Sequence, residues 1–138
     1  MNTLGIGVDL VEVSRVDAII ADKGARVFER LLTPAERAYC ESRPDPATHV
    51  AVRLAAKEAV FKALQGGTAG GSGGDGESGL GIGWKEIEVT RAPDGKPDIA
   101  LAGAAARRAS ELGVTRILLS LSHTHAAAVA VALLVGRD

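Results

Sequence analysis

The stretch from Arg53 to Leu64 constrains the fold most strongly, because it must form a buried helix. RLAAKEAVFKAL consists almost entirely of strong helix formers and contains no Gly or Pro. On a helical wheel its apolar residues leave no wide polar face, which indicates a helix enclosed by the rest of the fold. It nevertheless carries four charges, at Arg53, Lys57, Glu58 and Lys62. Buried charges are costly unless they are paired or bound to an ion or ligand, so this helix is the predicted chemical centre.

A first strand is predicted near the N-terminus, where apolar residues alternate with glycines. The apolar positions are Leu4, Ile6, Val8 and Leu10, and the positions between them are Gly5, Gly7 and Asp9. This period of two predicts that the apolar side faces the core and that another part of the molecule can approach the glycine side closely. We expect Asp9 near the end of the strand, beside that open side. The Gly-Ile-Gly run lacks the third glycine of a dinucleotide-binding fingerprint, which argues against that function.

The remaining sequence predicts a single α+β domain over residues 1–138. Helices are predicted over residues 12–23, 25–32, 34–43, 47–64 and 103–112, and later strands over 84–91, 98–101, 114–121 and 126–135. Thr33-Pro34-Ala35-Glu36 combines a capping box with proline at the first helical position, which is a strong helix start. The Gly- and Ser-rich residues 66–83 predict a flexible surface loop.

Composition excludes several classes of function. The net charge is −1, with 16 basic and 17 acidic residues, so nothing suggests binding to nucleic acid or to a membrane surface. The longest apolar run, residues 126–135, is much shorter than the roughly 20 residues that a membrane-spanning helix needs. The single Cys40 cannot form an internal disulfide and no signal peptide is visible, which together predict a cytoplasmic protein.

Two carboxylates in apolar surroundings, Asp9 and Glu58, are candidate ligands of a hard divalent cation. Magnesium is often bound by one or two carboxylates, with phosphates and waters completing its shell. Arg53, Lys57 and Lys62 flank Glu58 and would suit a pyrophosphate beside that cation. Simpler roles stay open: Asp9 as a helix N-cap, Glu58 in a salt bridge to Lys62, and the three cations as ordinary snorkelling side chains.

The other reactive side chains indicate less chemistry. His123 and His125 share one side of an extended segment, but no third ligand completes a zinc site, and His49 is too isolated to count. Cys40 is expected on an exposed helix without a base beside it. The serines near residue 120 lack the Gly-flanked turn of a nucleophile. A reaction here would therefore use a metal site rather than a covalent nucleophile.

Two motifs resemble those of the holo-acyl-carrier-protein synthases, the small bacterial 4′-phosphopantetheinyl transferases. Residues 5–15 (GIGVDLVEVSR) resemble the opening motif of that family, and residues 53–64 resemble its second motif. Residues 84–89, the turn at 95–97 and residues 120–124 match in the same order. The resemblance extends over residues 4 to 135, and the first two motifs together are highly specific.

This resemblance implies a fold and a reaction. The fold would be that of the 4′-phosphopantetheinyl transferases, with a small antiparallel sheet packed against a long buried helix. The family transfers the phosphopantetheine arm of coenzyme A to a serine of apo acyl carrier protein, which releases 3′,5′-ADP and serves fatty acid biosynthesis. By the resemblance, Asp9 and Glu58 would hold Mg²⁺, Glu58 would help to deprotonate the serine, and Lys62 would contact the phosphate.

The resemblance also implies partners. Arg53 and His123 would help to hold coenzyme A. Arg15, Arg26 and Arg30 would contact the acidic acyl carrier protein, since local charge can steer association where net charge does not. The family further implies a homotrimer with active sites between subunits.

This sequence departs from the family pattern at Leu54, where an aromatic residue is common, and over residues 66–79, a segment longer than usual. His125 occupies a variable position and is given no role. The sequence is also compatible with two alternative functions, a metal-dependent hydrolase of a nucleotide pyrophosphate and a non-catalytic module that binds acyl carrier protein.

Overall fold

The structure, a computed structural model, describes residues 1–65 and 81–138. The elements in chain order are β1 (Asn2–Glu12), α1 (Val13–Lys23), α2 (Ala25–Leu31), α3 (Pro34–Glu41), α4 (Pro46–Leu64), a 3₁₀ turn (Trp84–Glu86), β2 (Ile87–Arg91), β3 (Pro97–Leu101), α5 (Gly103–Leu112), β4 (Val114–His123) and β5 (Ala127–Gly136). The predicted order is confirmed, although β4 extends through His123, where an interruption was expected. Most of the predicted flexible loop over 66–83 lies outside the described residues, and Ile82 near its end is buried.

The strands form two antiparallel sheets. The larger sheet has the order β1-β5-β4, and β2 and β3 form a separate two-stranded hairpin. Helix α4 packs against both outer strands and the centre of the larger sheet, and it also contacts α1, α3, α5 and β2. The prediction of a small antiparallel sheet packed against a long buried helix is therefore confirmed.

Helix α4 is buried on nearly every side, as its composition predicts. Between Val50 and Leu64 only Glu58, Phe61 and Lys62 keep partial exposure. Its last carbonyls are satisfied by Arg108 of α5, whose Nε donates to the Leu64 oxygen at 2.9 Å. Among the described residues, no helix is long and apolar enough to cross a membrane.

The prediction that the apolar side of β1 faces the core is wrong, whereas the predicted close approach on its glycine side is confirmed. Ile6, Val8 and Leu10 are 68%, 55% and 61% exposed, so the apolar side of the strand does not face the core. The glycine side faces α4 instead: a Cβ at Gly7 would stand 1.9 Å from the Ala59 carbonyl oxygen. The absence of side chains lets the strand and the helix backbone meet directly, and the apolar residues lie on the side of the sheet that faces away from α4.

Helix α3 begins with the predicted capping box. The Thr33 side chain accepts from the Glu36 backbone N–H, and the Glu36 side chain accepts from the Thr33 N–H. Cys40, expected on an exposed helix, is instead fully buried against the core. Burial raises the pKa of its thiol to about 11, so it is a packing residue and a poor nucleophile.

Candidate active site

Asp9 and Lys62 meet where β1 crosses α4. Asp9 lies within β1, opposite Ala130 of β5, and shares the strand face of Gly5 and Gly7. Because that face packs on α4, the Asp9 carboxylate comes within 3.0 Å of Lys62 Nζ. Lys62 also donates to the Val8 carbonyl oxygen at 3.2 Å. The sequence alternative of Glu58 paired with Lys62 is thus replaced by an ion pair between Lys62 and Asp9.

The N-cap alternative for Asp9 is also wrong. Strand β1 continues to Glu12, which is the N-cap of α1 and makes no side-chain capping bond. Asp9 therefore lies three residues before the end of β1. Its carboxylate contacts Lys62 of α4 and does not cap α1, the helix that follows the strand. Only 16% of its side chain is exposed.

Glu58 lies in the electrostatic field of the same group. Burial raises the pKa of the Glu58 carboxyl, the Asp9 carboxylate raises it further, and the charges of Lys62 and Arg15 oppose this shift. The charge of Asp9 therefore disfavours ionisation of Glu58, as a like charge in the same site does. A divalent cation between them would remove that conflict. Within the described residues no group of three or more His, Cys, Asp or Glu side chains could hold a metal.

The donor set fits magnesium better than a transition metal. Two carboxylates with no nearby imidazole or thiolate form a hard, incomplete site of the kind that Mg²⁺ shares with phosphates and water. His123 and His125 are both exposed and do not join Asp9 or Glu58.

Lys57 does not belong to this site. Its ammonium group pairs with Glu36 of α3 at 2.7 Å, and its side chain is 1% exposed. Lys57 and Glu58 are consecutive on α4, so their side chains point about 100° apart around the helix. The interpretation of Lys57 as a phosphate ligand beside Glu58 is therefore wrong.

Arg53 belongs to a second, strongly positive cluster built around Tyr39. The guanidinium groups of Arg53, Arg43 and Arg91 lie 4.2, 4.4 and 4.6 Å from the centre of the Tyr39 ring. We call these four residues the arginine cluster. Arg53 is 5% exposed, and its Nε is buried without a hydrogen-bond partner in the described part of the chain. A buried donor of this kind is suited to an anion.

His49 adjoins the arginine cluster and is not isolated, contrary to the sequence interpretation. Its ring meets Tyr39 edge to face at 5.6 Å between centroids. Burial lowers the pKa of His49, Asp45 opposes this, and the positive charges of Arg53, Arg43 and His123 lower it further. The structure thus brings His123 and Arg53 into one region. No local signal connects Tyr39 with Arg91, since 52 residues separate them, and the sequence interpretation missed the cluster.

The three arginines predicted to bind a protein partner lie on α1 and α2 and are exposed. Arg15 is in the first turn of α1, close enough for its charge to lower the pKa of Glu58. Arg26 and Arg30 are on α2, which packs against α1. His125, to which no role was given, is exposed in the turn between β4 and β5.

Comparison with known proteins assigns a family to this arrangement. Residues 5–132 match the 4′-phosphopantetheinyl transferase superfamily. A holo-[acyl-carrier-protein] synthase of Desulforudis audaxviator is 48% identical over 133 residues, which cover 96% of this chain and 93% of that protein. The Moorella thermoacetica protein of the same name is 44% identical, with 94% and 92% of the two chains covered.

Solved structures agree with this assignment. The holo-[acyl-carrier-protein] synthase of Neisseria meningitidis superimposes with a TM-score of 0.80 at 28% identity, covering 96% of this chain and 98% of the other. The Bacillus anthracis enzyme in complex with CoA (3′,5′-ADP) has a TM-score of 0.72 at 28% identity, covering 98% of each chain. Motifs, fold and relatives together place this chain in the 4′-phosphopantetheinyl transferase superfamily, as a member of its holo-[acyl-carrier-protein] synthase family.

Proposed function

We propose that the chain transfers the 4′-phosphopantetheine arm of coenzyme A to a serine of apo acyl carrier protein, in a reaction that requires Mg²⁺ and releases 3′,5′-ADP. The observation that carries this proposal is the meeting of Asp9, Glu58 and Lys62 across the contact between β1 and α4. The names of the relatives support the acceptor, and the complex of the Bacillus anthracis enzyme supports coenzyme A as donor.

Asp9 and Glu58 would hold the magnesium ion. When bound, the ion would neutralise the pyrophosphate of coenzyme A and polarise its phosphoryl oxygens. Asp9 would then no longer need Lys62 as its counter-ion. Lys62, which is 39% exposed and close to the site, could turn its ammonium group to the phosphate and stabilise the charge that develops on the leaving group.

The chain supplies no covalent nucleophile in this mechanism. The serine oxygen of the carrier attacks the β-phosphorus of coenzyme A, and the bond from this phosphorus to the oxygen that 3′,5′-ADP retains breaks. Glu58 accepts the serine proton, directly or through a water.

The arginine cluster is the proposed site for another anionic group of coenzyme A. Arg53 contributes its buried Nε, which has no partner within residues 1–65 and 81–138, and Arg43 and Arg91 add two further charges around Tyr39. Mutual repulsion of three guanidinium groups would be relieved by a phosphate. His123 lies close enough to this cluster to lower the pKa of His49, and it would complete the contacts with coenzyme A.

Arg15, Arg26 and Arg30 would dock the acidic acyl carrier protein. Arg15 is the best supported of the three, because it lies close to Glu58 and so at the edge of the reacting site. Docking there would bring the carrier serine to Glu58. The relatives are named for the synthesis of holo acyl carrier protein. We therefore assign the proposed reaction to cytoplasmic fatty acid biosynthesis.

The outer face of the larger sheet supports the homotrimer. Val131 of β5 lies opposite Val8 of β1 and is 39% exposed, so it continues the patch formed by Ile6, Val8 and Leu10. A contiguous apolar surface of this kind is typical of an interaction site. We expect Val8→Asp to dissociate the trimer, measured by light scattering after gel filtration. An unchanged mass for Val8→Asp would contradict this use of the face.

The transfer reaction is tested by the intact mass of apo acyl carrier protein after incubation with coenzyme A and Mg²⁺. We expect a gain of one phosphopantetheine arm, with the rate reduced at least about 100-fold in Asp9→Asn and Glu58→Gln. Glu12→Gln, on the same strand but exposed, is the matched control and should retain full activity.

Detection of released nucleotide and of bound carrier, alongside the intact-mass assay, separates the other functions. Nucleotide release without a protein acceptor would indicate a pyrophosphate hydrolase. Binding of the carrier without any mass change would indicate a non-catalytic module. Full activity in Asp9→Asn and Glu58→Gln would refute the metal assignment.

A further inference from the structure

Lys57 and Glu36 form a buried ion pair in which every ammonium donor is used. Lys57 Nζ lies 2.7 Å from Glu36 Oε1 and donates to the carbonyl oxygens of Trp84, at 2.9 Å, and Ile87, at 2.7 Å. An ammonium group has three N–H donors, so none is left over. The exposed fractions of the two side chains are 1% and 0%.

Glu36 extends this set of contacts to two more elements. Its Oε1 accepts from the Thr33 backbone N–H at the start of α3, and its Oε2 accepts from the Val89 N–H of β2, both at 2.9 Å. The ion pair therefore ties the middle of α4 to the start of α3 and to the segment from Trp84 to Val89.

Stability alone does not explain such a pair. Buried ion pairs can often be replaced by apolar residues without loss of stability, because desolvation offsets the Coulomb attraction. The hydrogen bonds of the pair instead fix the orientation of the Lys57 side chain, since hydrogen bonds to charged groups hold a defined geometry. The contact of α4 with β1 lies on another side of the helix, where backbone atoms of Ala59 and Ala63 meet glycines and Lys62 pairs with Asp9.

We propose that Lys57 and Glu36 are positioning residues that set the rotation of α4 and thereby aim Glu58 at Asp9. Consecutive helix residues point about 100° apart, so holding Lys57 toward Glu36 fixes the direction of Glu58. This inference rests on the proposed function, because it takes Asp9 and Glu58 as the metal ligands.

The test uses Lys57→Met/Glu36→Gln, which removes the charges of both partners together and leaves neither as an unpaired ion. Coenzyme A is titrated calorimetrically into the protein, once in buffer with Mg²⁺ and once in buffer with EDTA. The ratio of the two affinities is the gain that the metal provides. We expect this gain to fall at least tenfold, while affinity in EDTA stays within twofold of wild type. The emission of Trp84, the one tryptophan of the chain, should shift as well, because its carbonyl loses Lys57.

Arg108→Met is the matched control. It removes a hydrogen bond to the last turn of α4 without touching the ion pair, so it should lower the thermal midpoint and leave the gain from Mg²⁺ intact. A purely structural role of Lys57 would give the same result in the double variant as in Arg108→Met.

A folded double variant that retains the metal-dependent gain within twofold would overturn the inference. If that variant does not fold, Glu36→Gln, which preserves size and one acceptor oxygen, is judged by the same criterion. Failure of the proposed function is recognised separately: wild-type protein would then show neither a gain from Mg²⁺ nor transfer to the carrier, and both proposals would fall.

Discussion

Replacing Gly7 by alanine tests the contact on which the candidate site depends. The new Cβ would stand 1.9 Å from the Ala59 carbonyl oxygen and 2.9 Å from the Ala63 nitrogen, all within the backbone of α4. Backbone atoms of a buried helix cannot rotate aside as a side chain can. Because real Cβ atoms keep at least 3.0 Å from such an oxygen, β1 and α4 must separate by about 1.1 Å.

The displacement should affect both stability and activity. Overpacking of a core costs about 1–3 kcal/mol, and we expect the upper end here because the obstacle is backbone. For a domain of this size, about 3 kcal/mol lowers the thermal midpoint by roughly 10 °C. The same movement takes Glu58 and Lys62 away from Asp9, and a misplacement of about 1 Å can reduce the rate about 100-fold.

The loss of stability is measured by thermal unfolding, monitored by circular dichroism. The loss of transfer rate is measured by the intact-mass assay. The matched control is Gly83→Ala, since a Cβ at Gly83 meets no atom within 4 Å and the residue has a φ of −89°. If Gly7→Ala unfolds at the same temperature as Gly83→Ala and transfers at the wild-type rate, the close packing of β1 on α4 is not what assembles the site.

Two further predictions concern groups outside the metal site. The buried Cys40 thiol, whose pKa is raised to about 11, should react with Ellman's reagent at pH 8 only after unfolding in denaturant; rapid labelling of the folded chain would contradict its burial. Burial lowers the pKa of His49 below its ordinary value of 6.5, so the unfolded chain takes up this proton at higher pH than the folded chain does. Stability should therefore fall as the pH drops below about 6.5, and His49→Gln should lose less stability than wild type between pH 7 and pH 5 in urea titrations. Equal losses in the two proteins would show that His49 does not contribute.

Local patterns in the sequence predicted the features whose causes are local. The capping box at Thr33 and Glu36 satisfies backbone donors within one turn, so four residues are enough to recognise it. The burial of α4 follows from its own composition, which offers no polar face to water. Asp9 and Glu58 could be proposed as partners because both are carboxylates in apolar segments.

The faces of β1 could not be predicted in the same way. A period of two separates the apolar positions from the glycines, but it does not say which set meets the helix. Gly5 and Gly7 meet α4 because a strand without side chains can approach a helix backbone, and the apolar face is left exposed on the other side of the sheet. That choice depends on how the whole fold packs, and on the use of the outer face that we propose for assembly.

The four charges of α4 also show that sequence spacing does not identify partners far along the chain. Their partners explain how a buried helix can carry these charges. Helix geometry alone places Arg53 with Lys57 on one side of α4 and Glu58 with Lys62 on another, because residues four apart share a side. The partners come from residues far along the chain, so spacing could not identify them: Lys57 is paired with Glu36 and Lys62 with Asp9, while Arg53 lies against Tyr39. Among the described residues, each of the three N–H donors of Lys57 has a partner. Burial and the charge of Asp9 raise the pKa of Glu58, and the buried Nε of Arg53 has no hydrogen-bond partner among the described residues. These two groups lie at the two places where we propose that Mg²⁺ and coenzyme A bind.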